Sequence, residues 1–164
     1  MFKVNDYVVY GTTGVCRITD IARDEYSGNN ETEYYILHPV YNDNMTIKIP
    51  VNNPKISMRA TLTKEEVSSL IAAMPDKETI WIEDSRERSD LFKTILRKGT
   101  CEDWIKLIKT LYAEKETRST TGKTLTNTDE EIMRTAEKQL NEEFAVVLNI
   151  SPDEVLPYIL EHIT

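Results

Sequence analysis

The chain has 164 residues, enough for one medium domain or two small ones, and its apolar and charged fractions, 40% and 29%, are those of a soluble globular protein. No stretch approaches the ~18 uninterrupted apolar residues of a membrane span, and the N-terminus lacks the basic and apolar regions of a signal peptide, so a cytoplasmic protein with no membrane partner is expected. A net charge of −8 argues against a protein that coats nucleic acid by neutralising its phosphates.

Up to about Pro54 the pattern is that of strands. "YVVY", "VCRITDI", "EYYILHPV" and "MTIKIPV" are β-branched and aromatic runs over 7–10, 15–21, 33–40 and 45–51, separated by "GTTG", "YSGNNET" and "YNDN". Short strands joined by tight polar turns predict a small curled antiparallel sheet or barrel. Alternation in "TIKIPV" puts Ile47, Ile49 and Val51 on one face and Lys48 on the other. Pro50 lacks a backbone donor and marks that strand as an edge, or as ending there.

After "NNPKISMRA" the period becomes helical. Thr63 with Glu66, Thr100 with Asp103 and Ser151 with Glu154 have capping-box spacing, and Pro152 holds the favoured first helical position. Helices are predicted over 64–73, 85–98, 101–115, 129–148 and 152–162, with Gly99 and Asn149 as C-terminal stops. Leu107, Ile108, Leu111 and Tyr112 form one apolar stripe, and Ile132, Ala136, Leu140, Phe144 and Val147 another; buried against each other they give a helical bundle. "TRSTTGKTLTNT" reads as an exposed loop. The whole is an α+β chain in two parts, residues 1–56 and 57–164.

Cys16 and Cys101 belong to neither a CxxC nor a Cys/His cluster, and both read as packed thiols rather than metal ligands or a redox pair. His38 and His162 sit in unrelated segments. Triad, HExxH, Walker and GxGxxG patterns are absent, so neither catalysis nor a small-molecule substrate, cofactor or metal is expected. Charge is uneven along the chain. Between Trp81 and Lys123 bases slightly outnumber acids, whereas acids dominate from Thr124 onward, so an anionic partner would meet the middle of the chain.

"FKVNDYVVYGTTGVCRI", "YYIL", "IKIPV" and "MRA", followed by "RERSDLFKTILRKG", "LIKTLY" and "LTNTDEEIMRTAEKQLNEEFA", resemble in order and spacing the CarD/CdnL family of bacterial transcription regulators. The first domain of that family is similar to the polymerase-interacting domain of transcription-repair coupling factor. The resemblance implies an N-terminal Tudor-like (SH3-like) barrel that docks on the RNA polymerase β subunit by strand addition. It also implies a helical domain that stabilises the promoter open complex at the upstream fork of the bubble, largely without reading sequence, and so places the protein at the nucleoid. Asn5 stands where the family usually has Gly, and Asn tolerates the left-handed backbone that such a turn requires.

Carried onto this sequence, the polymerase contact falls on Lys48 with its strand neighbours Ile47 and Ile49, and on Arg23 near the next turn. The DNA contact falls on Trp81, Arg86, Arg88, Lys93 and Arg97. Offsets of seven and four place Arg86, Lys93 and Arg97 on one helix face, suited to backbone phosphates; Leu91 and Ile95 would face the bundle. The family inserts a tryptophan as an apolar wedge into the minor groove. Counted back from Gly99 that tryptophan falls near Ser85, so Trp81 marks either a remodelled helix start or a core residue. Trp104, next to the Leu107/Ile108 stripe, reads as core. The alternative function is a protein–protein adaptor whose helical part never meets nucleic acid.

Overall fold

In the computed structural model, residues 2–23, 33–42, 44–52 and 58–163 are described. The chain divides into two compact units, residues 1–61 and 62–164. The division lies slightly beyond the 56/57 boundary read from the sequence, because one more strand joins the sheet.

The first unit is a five-stranded antiparallel sheet of β1 (Tyr7–Tyr10), β2 (Gly14–Arg23), β3 (Glu33–Pro39), β4 (Ile47–Pro50) and β5 (Met58–Ala60), in the order β4-β3-β2-β1-β5. Among the described residues it stays open, with β4 and β5 as its two edges: an antiparallel sheet, one of the two forms read from the residues, and not the barrel that the family resemblance implies. Strand alternation delivers Val8, Tyr10, Cys16, Ile18, Tyr35, Leu37 and Ile49 to one core, rimmed by Phe2, Ile21, Ile47, Val51 and Met58. The apolar period in β2 slips from Cys16 and Ile18 to Ile21 because the β2–β3 register shifts between Ile18 and Asp20. Burial pushes the Cys16 thiol up to about 11, an inert packed sulfur as expected.

The turn before β1 needs a left-handed residue, and Asn5 supplies it at φ +77°. Its N–H donates to the Ile18 carbonyl at 2.7 Å, and the Ile18 N–H donates to the Asp6 carbonyl at 2.9 Å. Arg17 Nη1 holds the Asn5 side-chain oxygen at 3.0 Å. Asn thus replaces Gly at little conformational cost and ties the N-terminal segment to β2.

The second unit contains α1 (Lys64–Ala73), α2 (Ser85–Lys98), α3 (Cys101–Ser119), α4 (Asn127–Leu148) and α5 (Val155–His162), with 3-10 turns at Met74–Asp76 and Pro152–Glu154. Thr63 and Glu66 form a reciprocal capping box, and Thr100 caps α3 by accepting the Asp103 N–H. Two caps missed by the sequence reading are Asp84, which accepts from the Glu87 N–H, and Thr126, which accepts from the Asp129 N–H. Gly99 and Asn149 close α2 and α4 in left-handed conformation, as predicted. α3 runs one turn further than predicted because Arg118 pairs with Glu114 and the Thr117 hydroxyl donates to the Ala113 carbonyl.

The core of this unit is built from Val67 and Ile71 of α1, Phe92 and Ile95 of α2, Trp104, Leu107 and Leu111 of α3, Ile132, Ala136, Leu140 and Phe144 of α4, and Val155 and Ile159 of α5. Trp104 is core as expected, 1% exposed, with its indole N–H donating to the Leu96 carbonyl. Tyr112 and Leu91 depart from the expected stripes and are exposed, lying at the edges of their apolar faces. Glu143, on α4, is fully buried; it accepts from the Leu62 N–H at 2.9 Å and from Cys101 Sγ at 3.1 Å, so it fastens the start of α1 and of α3 to α4.

Candidate interaction surfaces

Of the two sheet edges, β4 carries the residues expected to meet a partner. It pairs with β3 in the register Tyr34↔Pro50, Tyr35↔Ile49, Ile36↔Lys48 and Leu37↔Ile47, and its other side is an edge. Ile49 is buried and Ile47 packs on the same core. Both side chains are therefore occupied, and what these residues can offer outward is backbone. Lys48 points the other way and is exposed, its Nζ 4.4 Å from the centre of the Tyr34 ring. Tyr34 is its diagonal neighbour across the strand pair, a spacing long side chains can bridge. An exposed contact of this kind contributes about 0.5–1 kcal/mol, enough to hold the ammonium beside the edge without fixing it.

Arg23, at the end of β2, is exposed and pairs with its cross-strand neighbour Glu33 at 3.4 Å. Directly paired residues share a face, so Arg23 follows Ile21 on the core side while Lys48 follows Ile36 on the opposite side. The structure does not bring Arg23 and Lys48 together.

On α2, Arg86, Lys93 and Arg97 are exposed as expected. Asp90, also exposed, falls between them on the same face, four residues after Arg86 and three before Lys93, so one negative charge interrupts the stripe.

Arg88 corrects the sequence reading. It was grouped with the DNA-contacting cations, yet it is 2% exposed. Two residues from Arg86 is about 200° around a helix, onto the face of Phe92 and Ile95. There its guanidinium makes a bidentate pair with Asp129 of α4, Nε to Oδ1 at 3.1 Å and Nη2 to Oδ2 at 2.8 Å. Nη1 donates to the carbonyls of Ile82 and Glu83 at 2.8 and 3.2 Å. An i, i+4, i+7 series at 88, 92 and 95 was present in the sequence and could have revealed this.

Trp81 lies in the stretch between Lys77 and Asp84, which is neither helix nor strand, one turn before α2 begins. It is half-buried. Its ring centre is 4.2 Å from Arg88 Cζ and 5.3 Å from Arg118 Cζ, and its buried Nε1 has no hydrogen-bond partner among the described residues. Neither a fully exposed wedge nor a sealed core residue, it is a partly exposed ring held by two guanidinium groups. The parts played here by Asp129 and Arg118 left no local signal in the sequence, since both contacts are long-range.

A cavity of about 460 Å³ opens elsewhere on the helical unit, over an apolar floor that includes Ile105, Ile108, Leu140 and Ile159. Lys109 at its rim is held by the carbonyls of Met74, Pro75 and Lys77 at 2.7–3.1 Å. Among the described residues no group of three His, Cys, Asp or Glu side chains is placed to hold a metal, and no helix is long and apolar enough to cross a membrane.

Residues 2–61, the whole of the sheet unit, match the family model of the CarD-like/TRCF RID domain. The N-terminal unit is similar to the CarD-like/TRCF RID domain. This is a domain class named for its interaction with RNA polymerase. The match closes one residue after β5, so the RID domain and the structural unit coincide, and the helical unit lies outside it. No curated protein matches the chain.

Proposed function

We propose that the protein is a non-enzymatic bridge between RNA polymerase and promoter DNA. The RID domain docks on the polymerase β subunit, and the helical unit contacts DNA at the upstream fork of the bubble and lengthens the life of the open complex. The observation that carries this reading is the match of residues 2–61 to an RID domain in which, among the described residues, β4 is a sheet edge flanked by an outward Lys48. An antiparallel sheet edge takes up a partner's strand through main-chain hydrogen bonds, and a charge beside it sets orientation and encounter rate. On the helical unit, Arg86, Lys93 and Arg97 supply the phosphate contacts and Trp81 the apolar contact.

The test uses the full chain with polymerase. Lys48→Glu should slow association with the polymerase, by about tenfold at low salt, because it reverses a steering charge. Arg86→Glu with Lys93→Glu should leave polymerase capture intact and shorten the open-complex lifetime. If both variants left promoter kinetics untouched, the bridge would be wrong. The adaptor reading draws support from the net charge of −8; it predicts that open-complex lifetime is indifferent to Arg86, Lys93 and Trp81.

A further inference from the structure

The backbone around Trp81 is strapped on both sides. Ahead of it the Ile80 N–H donates to the Thr110 hydroxyl of α3 at 3.0 Å. Behind it the carbonyls of Ile82 and Glu83 accept from Arg88 Nη1. The same guanidinium that holds this backbone by its edge lies with its Cζ 4.2 Å from the indole centre, and it is in turn locked by the bidentate pair with the buried Asp129 carboxylate. Arg118 approaches the ring from α3, itself oriented by Glu114 Oε1 at 3.1 Å and the Thr124 carbonyl at 3.4 Å. Among the described residues the indole N–H finds no acceptor, so none of them sets the angle of the ring by a hydrogen bond to it. The two cations and the strapped backbone do.

We infer that Arg88, fixed by Asp129, is a positioning residue for Trp81: it sets the orientation in which the half-exposed ring is presented to DNA, and Arg118 closes the same clamp from α3. This rests on the proposed DNA contact of Trp81. A tryptophan on an unstructured segment would sample several rotamers and lose that freedom on binding. One already clamped presents its apolar edge at a smaller entropic loss. A merely structural Arg88–Asp129 pair would fasten α2 to α4 and leave the tryptophan indifferent.

The experiment compares wild type with Arg88→Met/Asp129→Leu, Arg118→Gln and Trp81→Ala, all as full-length chains checked by circular dichroism. Acrylamide quenching of tryptophan fluorescence reports Trp81 selectively, because Trp104 is 1% exposed. Quenching should rise by about two- to fivefold in Arg118→Gln, the range that one cation–π contact supports, and at least as much in the double variant. Open-complex lifetime on a promoter with polymerase should fall in the double variant to the Trp81→Ala level, and adding Trp81→Ala to it should change nothing further. Unchanged quenching in both clamp variants would overturn the inference, as would lifetime losses that multiply in the combined variant. If the double variant fails to fold, Arg118→Gln decides by the same two readouts. If Trp81→Ala keeps the wild-type lifetime, it is the DNA reading that fails, while quenching still decides whether Arg88 and Arg118 fix the ring.

Discussion

Asp129→Ala should be among the most destabilising single changes in the helical unit. The carboxylate is 1% exposed and takes two hydrogen bonds from a guanidinium that is itself 2% exposed. Arg88 has no route to water, so deleting Asp129 strands a buried cation whose remaining partners are the neutral carbonyls of Ile82 and Glu83. Removing one member of such a pair costs about 3–5 kcal/mol. Asp129 also sits in the first turn of α4, where a negative charge adds about 0.3–1 kcal/mol through the helix dipole. A loss of about 4 kcal/mol against a total of roughly 5–15 kcal/mol is a large fraction of the stability. In urea, with a slope of about 1–3 kcal/mol/M, the midpoint should fall by about 2 M with the slope unchanged. Arg88→Met with Asp129→Leu removes both charges and fills the same space, and should recover most of the loss. An Asp129→Ala cost below about 1 kcal/mol, or a double variant as unstable as the single one, would refute the view that the charge is sealed and paired.

Asn5→Gly should be nearly neutral, since Gly adopts φ +77° freely while the bond to Arg17 is lost; Asn5→Ala should cost about 1–2 kcal/mol from left-handed strain, and thermal melts of the two variants would separate backbone from side-chain effects. Burial raises the carboxyl of Glu142 above its ordinary 4.5, with Lys138 opposing. A raised value means that the fold favours the protonated form, so its ionisation works against stability at neutral pH. Glu142→Gln should therefore raise the melting temperature at pH 7. The gain should shrink as pH falls through the raised value and vanish below 4.5, and an equal gain at pH 4 and 7 would contradict this.

The strands and helices were readable because their signals are local. Capping boxes, the Gly99 and Asn149 stops and the alternation in β4 each act within a few residues; an added cap and an i,i+4 pair lengthened two helices, at Thr126 and Arg118, while the first turn of the helix expected over 152–162 is a 3-10 turn and α5 starts at Val155. What escaped depends on long-range closure. Whether five short strands close into a barrel is decided by pairing between the chain's distant edges, and here β4 and β5 remain apart in the sheet order. Arg88 was misplaced for a different reason: a run of basic residues near a helix start invites a surface reading, and only Asp129, far along the chain, makes burial of a guanidinium tolerable.

An acidic chain that is to touch DNA needs another means of staying near it. Arg86, Lys93 and Arg97 can neutralise at most three phosphates, and Asp90 stands among them. Three contacts correspond to a salt slope of about −2.7 in log–log form on duplex DNA, and non-specific binding of this kind lies at a Kd of roughly 10⁻⁴–10⁻⁶ M at physiological salt. Alone, such a surface would leave promoters almost unoccupied. Joined to a domain that holds the polymerase, the same surface experiences DNA at an effective concentration near the millimolar range, where weak contacts are occupied much of the time. The full chain without polymerase should therefore fail to retard promoter DNA below about 1 μM at 150 mM salt, while the same chain lengthens open-complex lifetime at concentrations that saturate the polymerase, with a salt slope no steeper than about −3. Sub-micromolar retardation of promoter DNA by the chain alone would show that its affinity comes from a surface other than this stripe, and the tethered mechanism would have to be abandoned.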